Sequence, residues 1–181
     1  QRTSSAASDV YKRQIKYNGV SIDMLLKMTV DDSIQFFRKY NQSKIVSKLL
    51  PLQSVGLGYV SLGQSSNTLS GGEAQRIKLA SFIGKGDQIE KTFFIFDEPT
   101  TGLHFHDVRK LLNTFDKLIR MGHSILVIEH NLDMISCADH IIDLGPEGGD
   151  KGGEVVAEGS PEEIIKNKNS YTGQYLKSKI I

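Results

Sequence analysis

The chain has a single cysteine, Cys137, in 181 residues. One thiol forms no internal disulfide, and zinc sites built on several cysteines are excluded. Neither sign of charge predominates: 22 basic and 21 acidic side chains leave a net charge of +1. A global basic field that gathers nucleic acid is therefore missing, although a local patch is compatible with these numbers. Long apolar runs are missing too. No stretch approaches the roughly 20 residues that span a bilayer, and the N-terminus lacks the apolar core of a secretory signal. What is present, 39% hydrophobic and 24% charged residues, reads as a soluble globular protein of a reducing compartment. The length fits one domain, or a piece of a larger one.

Residues Gln1 to Gln14 are polar and rich in Ser and Ala, with no apolar period. They read as a disordered or non-native segment ahead of a fold that occupies 15–181. Thr29 precedes a helical stretch with Val30, Ile34 and Phe37 on one face, and Ile45, Leu49 and Leu50 continue that style up to Pro51. A glycine-rich connector, Val55-Gly-Leu-Gly-Tyr59, runs on towards Gly63.

Beyond it, strands and helices alternate. Leu69-Ser-Gly-Gly-Glu73 opens a helix to about Ile83. Thr92 to Asp97 is a continuous apolar run ending in an acid, the pattern of a fully buried parallel strand. Val108, Leu111, Leu112, Phe115, Leu118 and Ile119 mark an amphipathic helix that Gly122 stops. Ile125 to Ile128 reads as a second buried strand, reached by a right-handed βαβ crossover. A short helix over Leu132 to Ala138, a strand over Ile141 to Leu144, a glycine-rich turn and a return strand over Glu154 to Ala157 follow. Ser160-Pro-Glu-Glu163 starts a last helix. The expected class is α/β, a mainly parallel sheet flanked by helices, with a helical satellite before Gly56 and a C-terminal hairpin.

Three motifs carry chemistry. Asp97 and Glu98 follow a strand's carboxyl end, where open α/β sheets bind ligands. Two adjacent carboxylates there are expensive unless something cationic pairs with them. Nucleotide-bound Mg²⁺ would serve, held by Asp97 directly or through water. Glu98 would then orient and deprotonate a water. The plainer reading is an acid pair capping a turn. Ser70-Gly-Gly-Glu73 has the spacing of a capping box. Gly71 and Gly72 would admit an anion to the helix N-terminus, with Ser70 donating its hydroxyl. Glu73 would fold back onto the cap, because a carboxylate repels phosphate. The plainer reading is an ordinary helix start. His130 ends the strand after the crossover, where it would lie beside Glu98 and reach a γ-phosphate. A lone strand-end histidine is more often structural.

Together the three resemble the ABC ATPase superfamily in order and content. Leu69 to Glu73 is similar to the signature, Phe93 to Glu98 to Walker B, Pro99 to His104 to the D-loop, and His130 to the switch histidine. The wording narrows the resemblance to the UvrA family of excinuclease subunits. It rests on Asn67-Thr-Leu-Ser-Gly-Gly-Glu-Ala-Gln-Arg-Ile-Lys-Leu-Ala80, Asp97-Glu-Pro-Thr-Thr-Gly-Leu-His-Phe105, Val127-Ile-Glu-His-Asn-Leu-Asp133 and Ile142-Asp-Leu-Gly-Pro-Glu-Gly-Gly149. Glu73, where transporters of the superfamily usually carry glutamine, belongs to it.

The resemblance runs from about Ile15 to the C-terminus and implies the end of a second ATPase domain. It implies a cytoplasmic ATPase of bacterial nucleotide excision repair that uses ATP and Mg²⁺, binds damaged double-stranded DNA, loads UvrB and forms a homodimer. By the same carry-over Asp97, Glu98 and His130 serve one nucleotide, and Ser70, Gly71 and Gly72 serve that of an opposing ATPase domain. No G-x-x-x-x-G-K-[S/T] loop occurs in the chain, nor the Q-loop or zinc cysteines of the family. The expectation is a fragment that binds ATP poorly and does not hydrolyse it alone, with zinc confined to the upstream part.

Other features have bland readings beside functional ones. The Gly145 to Gly153 turn would contact DNA or a partner domain, or simply close a hairpin. Cys137 reads as a small buried residue on the short helix. Lys39, Lys44 and Lys48 would meet phosphates, or form a solvated helix face. Two competing functions stay open here. One is the ATP-binding subunit of a membrane transporter, and the other a non-enzymatic interaction fragment.

Overall fold

Thr29 caps a helix because its hydroxyl accepts the Asp32 N–H at 3.0 Å. That helix is one of eight among the described residues of the computed structural model, which are 14–84, 90–147, 149 and 152–180. The chain divides into two compact units, Gln1–Thr92 with Thr101–Thr114, and Phe93–Thr100 with Phe115–Ile181. The expected disordered segment, except Gln14, lies outside the described residues.

In the first unit, β1 (Lys16–Tyr17) and β2 (Val20–Ser21) form a small antiparallel hairpin. Asn18 and Gly19 turn it with φ of 48° and 84°, the left-handed pair that tight hairpins favour. Helices α1 (Ile22–Lys27), α2 (Val30–Lys39) and α3 (Ser43–Ser54) follow. Val30, Ile34 and Phe37 of α2 pack with Val46 of α3, and Leu25, Leu49, Leu52 and Leu62 close around them. Two details differ from the sequence reading. Val46 is the buried residue of α3, while Ile45 and Leu50 are exposed. The helix also continues through Pro51 to Ser54. Proline so close to a helix end forfeits one backbone bond, and Leu52 beyond it remains packed on the core.

The glycine-rich connector is tied to the start of α2. Val55 and Leu57 are buried. The Gly58 carbonyl accepts the Asp31 N–H and the Val60 carbonyl accepts the Val30 N–H, both at 2.9 Å. Glycine at position 58 is a matter of space: a Cβ there would lie 2.3 Å from the Asp31 carboxylate. A 3-10 turn (Ser66–Thr68) then leads into α4 (Gly71–Ile83), which ends at Gly84.

In the second unit, β3 (Phe93–Asp97) pairs in parallel with β4 (Ser124–Ile128), with Phe93 opposite Ser124 and Asp97 opposite Ile128. Between them in sequence lies α5 (Phe105–Arg120), which divides between the units after Thr114; Val108 and Leu111 are buried in its first part, Phe115 and Leu118 in its second. Phe96 packs on Phe115 with ring centroids 4.9 Å apart. The strands are not buried on both faces as the apolar runs suggest. Phe93 and Ile95 are each 61% exposed, and Leu126 and Ile128 are exposed beside them. Among the described residues these side chains leave one apolar face of the sheet bare.

The hairpin of β5 (Ile141–Gly145) and β6 (Glu154–Gly159) forms a separate antiparallel sheet. Gly148, Asp150 and Lys151 of its turn lie outside the described residues. Ile141 and Ala157 pack with Ile164 of α7 (Pro161–Ile164) and Leu176 of α8 (Tyr171–Ile180). The short helix α6 (Leu132–Ile135) stops before Cys137, which is exposed rather than buried, because Met134 fills the inward position of that turn.

Gly173 sits where α8 meets α7. A Cβ there would lie 2.3 Å from the Ile164 carbonyl oxygen. Alanine normally stabilises a helix interior by about 1 kcal/mol over glycine. Here the clash is with backbone and wins, so Gly173→Ala is expected to destabilise by about 2 kcal/mol, or roughly 4–8 °C at this length. A thermal melt showing an unchanged or higher midpoint contradicts the packing.

Candidate functional site

The first cluster is the start of α4. Glu73 N–H donates to Ser70 Oγ at 3.2 Å, and Ser70 N–H donates to Glu73 Oε2 at 2.7 Å. The other carboxylate oxygen accepts the Tyr59 hydroxyl at 2.6 Å. That hydroxyl, then the backbone bond from Ser70, holds the Glu73 carboxyl below its ordinary pKa. Glu73 thus folds back on its own cap. Ser70 and Gly71 face solvent, and a Cβ on Gly71 would meet nothing within 4 Å. Gly72 is buried, so the open approach lies at Ser70 and Gly71.

Arg76, one turn further along α4, is fully buried and donates from Nη1 to the Thr101 carbonyl at 3.3 Å. Burial pulls its pKa down, against the opposing pull of Tyr59, Glu73 and Asp107. Its place in the motif is legible in the sequence, but its burial is not.

The second cluster stands at the carboxyl ends of β3 and β4. Asp97 and Glu98 are both exposed. Their exposure spares them much of the desolvation cost that a buried acid pair would bear. Glu98 has φ of 46°, uncommon for a residue with a side chain. Its N–H donates to the Ile128 carbonyl at 2.9 Å, which ties this bend to the end of β4. His130 Nδ1 lies 3.6 Å from Glu98 Oε1, with both side chains largely in solvent. An exposed pair at that distance adds little stability, so the proximity reports position.

Glu129 has no role in the sequence reading, yet its carboxylate bonds to both loops of the cluster. Its Oε1 accepts the Thr100 N–H at 2.8 Å and the Thr100 hydroxyl at 2.5 Å. Its Oε2 accepts the N–H groups of His130 at 3.0 Å and Asn131 at 3.1 Å. Burial works to raise the Glu129 pKa, but these bonds outweigh it and hold the carboxyl below its ordinary value. Because the folded value lies below the unfolded one, the contribution to stability is complete above the unfolded value. It is lost as pH falls through the depressed one. The only signal in the sequence is an acid that closes an apolar strand.

Among the described residues no group of three His, Cys, Asp or Glu could hold a metal by itself. Of the residues named for Mg²⁺, Asp97 alone supplies a carboxylate. It suits an ion whose remaining ligands come from phosphate and water. No described helix is long and apolar enough to cross a membrane.

No protein-family model matches the chain. UvrABC system protein A of Clostridium acetobutylicum is 57% identical over 164 residues, which cover 91% of this chain and 17% of that protein. The protein of that name from Rickettsia prowazekii is 55% identical over 168 residues, covering 93% of this chain and 17% of its own length. Among solved structures, UvrA2 from Deinococcus radiodurans superposes with a TM-score of 0.78 and 38% identity, covering 94% of this chain and 21% of its own. A bacterial Atm1-family ABC exporter, solved with ATP bound, gives a TM-score of 0.51 at 20% identity over 87% of this chain and 27% of its own, a likeness of fold alone. The chain thus has a partial ABC ATPase fold and, as a segment spanning 17% of the length of these curated relatives, belongs to the UvrA family.

Proposed function

We propose that this chain supplies the signature and hydrolytic part of an ATPase that couples ATP turnover to recognition of damaged DNA in nucleotide excision repair. The observation that carries the reading is Glu98 and His130 meeting at 3.6 Å at the ends of two parallel strands. In this reading the Glu98 carboxylate accepts a proton from the attacking water. His130 donates to a γ-phosphate oxygen from its imidazole. Asp97 holds Mg²⁺, directly or through water, and the ion supplies charge neutralisation on the phosphates. Ser70, Gly71 and Gly72 face the nucleotide of an opposing ATPase domain, with backbone N–H groups and the Ser70 hydroxyl as donors.

The partners proposed for the intact protein are damaged double-stranded DNA, UvrB and a second copy in a homodimer, in the cytoplasm. Zinc is proposed for upstream segments, since Cys137 is this chain's one thiol. The testing experiment is ATP turnover by the intact protein against a titration of ultraviolet-damaged duplex. The expected result is a rate that shifts several-fold with DNA. A flat rate favours the transporter reading.

A further inference from the structure

We propose that Glu129 is a positioning residue for ATP hydrolysis, clamping the loop after Glu98 to the loop that carries His130. The proposal rests on the reading of Glu98 and His130 given above and adds a residue whose bonds go to the two loops that carry them. One carboxylate oxygen takes both donors of Thr100, two residues after Glu98, and the other takes the backbone N–H groups of His130 and Asn131. Each of these bonds therefore goes to one of the two loops whose functional groups must meet. Glu98 and His130 themselves are solvent-exposed, and their mutual contact at 3.6 Å is too long and too wet to fix either side chain. Something else must fix them. Glu98 is held by its N–H bond to Ile128, and Thr100 and Pro99 behind it are buried. The His130 backbone is held by Glu129.

Only an ionised carboxylate fits this arrangement, because it accepts on both oxygens and donates on neither. A glutamine in its place has one accepting oxygen and one donating amide. Whichever way the amide turns, it points N–H at N–H on one of the two loops. The side chain keeps its size, so the variant tests the clamp rather than the packing. Releasing either loop lets the two groups drift, and a misplacement on the ångström scale is costly to chemistry but not to binding of the nucleotide elsewhere.

The experiment is steady-state ATP hydrolysis by the intact protein carrying Glu129→Gln, with hydrogen exchange followed at the Thr100, His130 and Asn131 amides. The expected result is a kcat about 30-fold lower, a KM for ATP within about threefold of wild type, and lost protection at one of the two loops. A kcat within about threefold of wild type, or a loss confined to KM, overturns the proposal. If Glu129→Gln does not fold, Thr100→Val decides. It removes the hydroxyl donor and keeps the N–H, and its kcat is expected to fall by about threefold to tenfold. An unchanged kcat in that variant overturns the proposal instead. Glu98→Gln is assayed alongside: wild-type turnover there sinks the reading of Glu98, a result distinguishable from failure of the Glu129 clamp.

Discussion

Glu98→Gln in the intact protein is expected to lower steady-state ATP turnover by about a thousandfold while leaving ATP affinity nearly unchanged. The substitution keeps the shape of the side chain and removes the group that accepts the proton of the attacking water. Glu98 sits in the left-handed region with its N–H bonded to Ile128, so glutamine inherits the same backbone position. Its side chain is exposed, and no desolvation cost changes with the loss of charge. The loss should therefore fall on kcat, as expected for an interaction made in the transition state. A raised KM with unchanged kcat would instead make Glu98 a binding residue. The plainer account, an acid that caps a turn, predicts a lower melting temperature and normal turnover.

The second large effect concerns the chain by itself. As given, it is expected to show no ATP turnover above background, because it contains no G-x-x-x-x-G-K-[S/T] loop. That loop supplies the backbone N–H groups and the lysine that cradle the β- and γ-phosphates. Without it, two exposed acids and one histidine face a polyanion and lack the charge that the lysine brings. The intact protein should turn over ATP, and Glu98→Gln should remove that activity. Glu98-dependent hydrolysis by the chain alone would contradict this. The bare face of β3 and β4, with Phe93, Ile95, Leu126 and Ile128 exposed, predicts in addition that the isolated chain binds an apolar dye.

Much of the fold is legible because local rules act locally. The capping box at Ser70 and Glu73 needs only residues three apart, and the structure contains both of its bonds. The period of α5 is written in one helix face, and Val108, Leu111, Phe115 and Leu118 are buried accordingly. The parallel pairing of β3 and β4 follows from a strand, helix and strand in order. What escapes a sequence reading depends on neighbours distant along the chain, or on elements too short to leave a pattern. The hairpin at Asn18 and Gly19 has its signal in that dipeptide, but the flanking strands are two residues each. Continuous apolarity suggests strands covered twice, and only the fold shows one face bare.

The site divides in the same way. That His130 lies beside Glu98 is expected from strand order, and the distance of 3.6 Å supplies the geometry. The role of Glu129 cannot be read from its own segment, since its partner Thr100 is 29 residues away. Arg76 looks like an ordinary charged helix residue, yet it is buried against the Thr101 carbonyl. Residues of this kind betray themselves by bonding across loops.

The most direct measurement is the identity of the nucleotide held by the intact protein after a single loading with Mg-ATP and an acid quench. If Glu98 carries the chemical step, wild type holds mostly ADP after one turnover time and Glu98→Gln still holds ATP. If both hold ADP, formed at the same rate, the hydrolytic group lies elsewhere and the central claim fails.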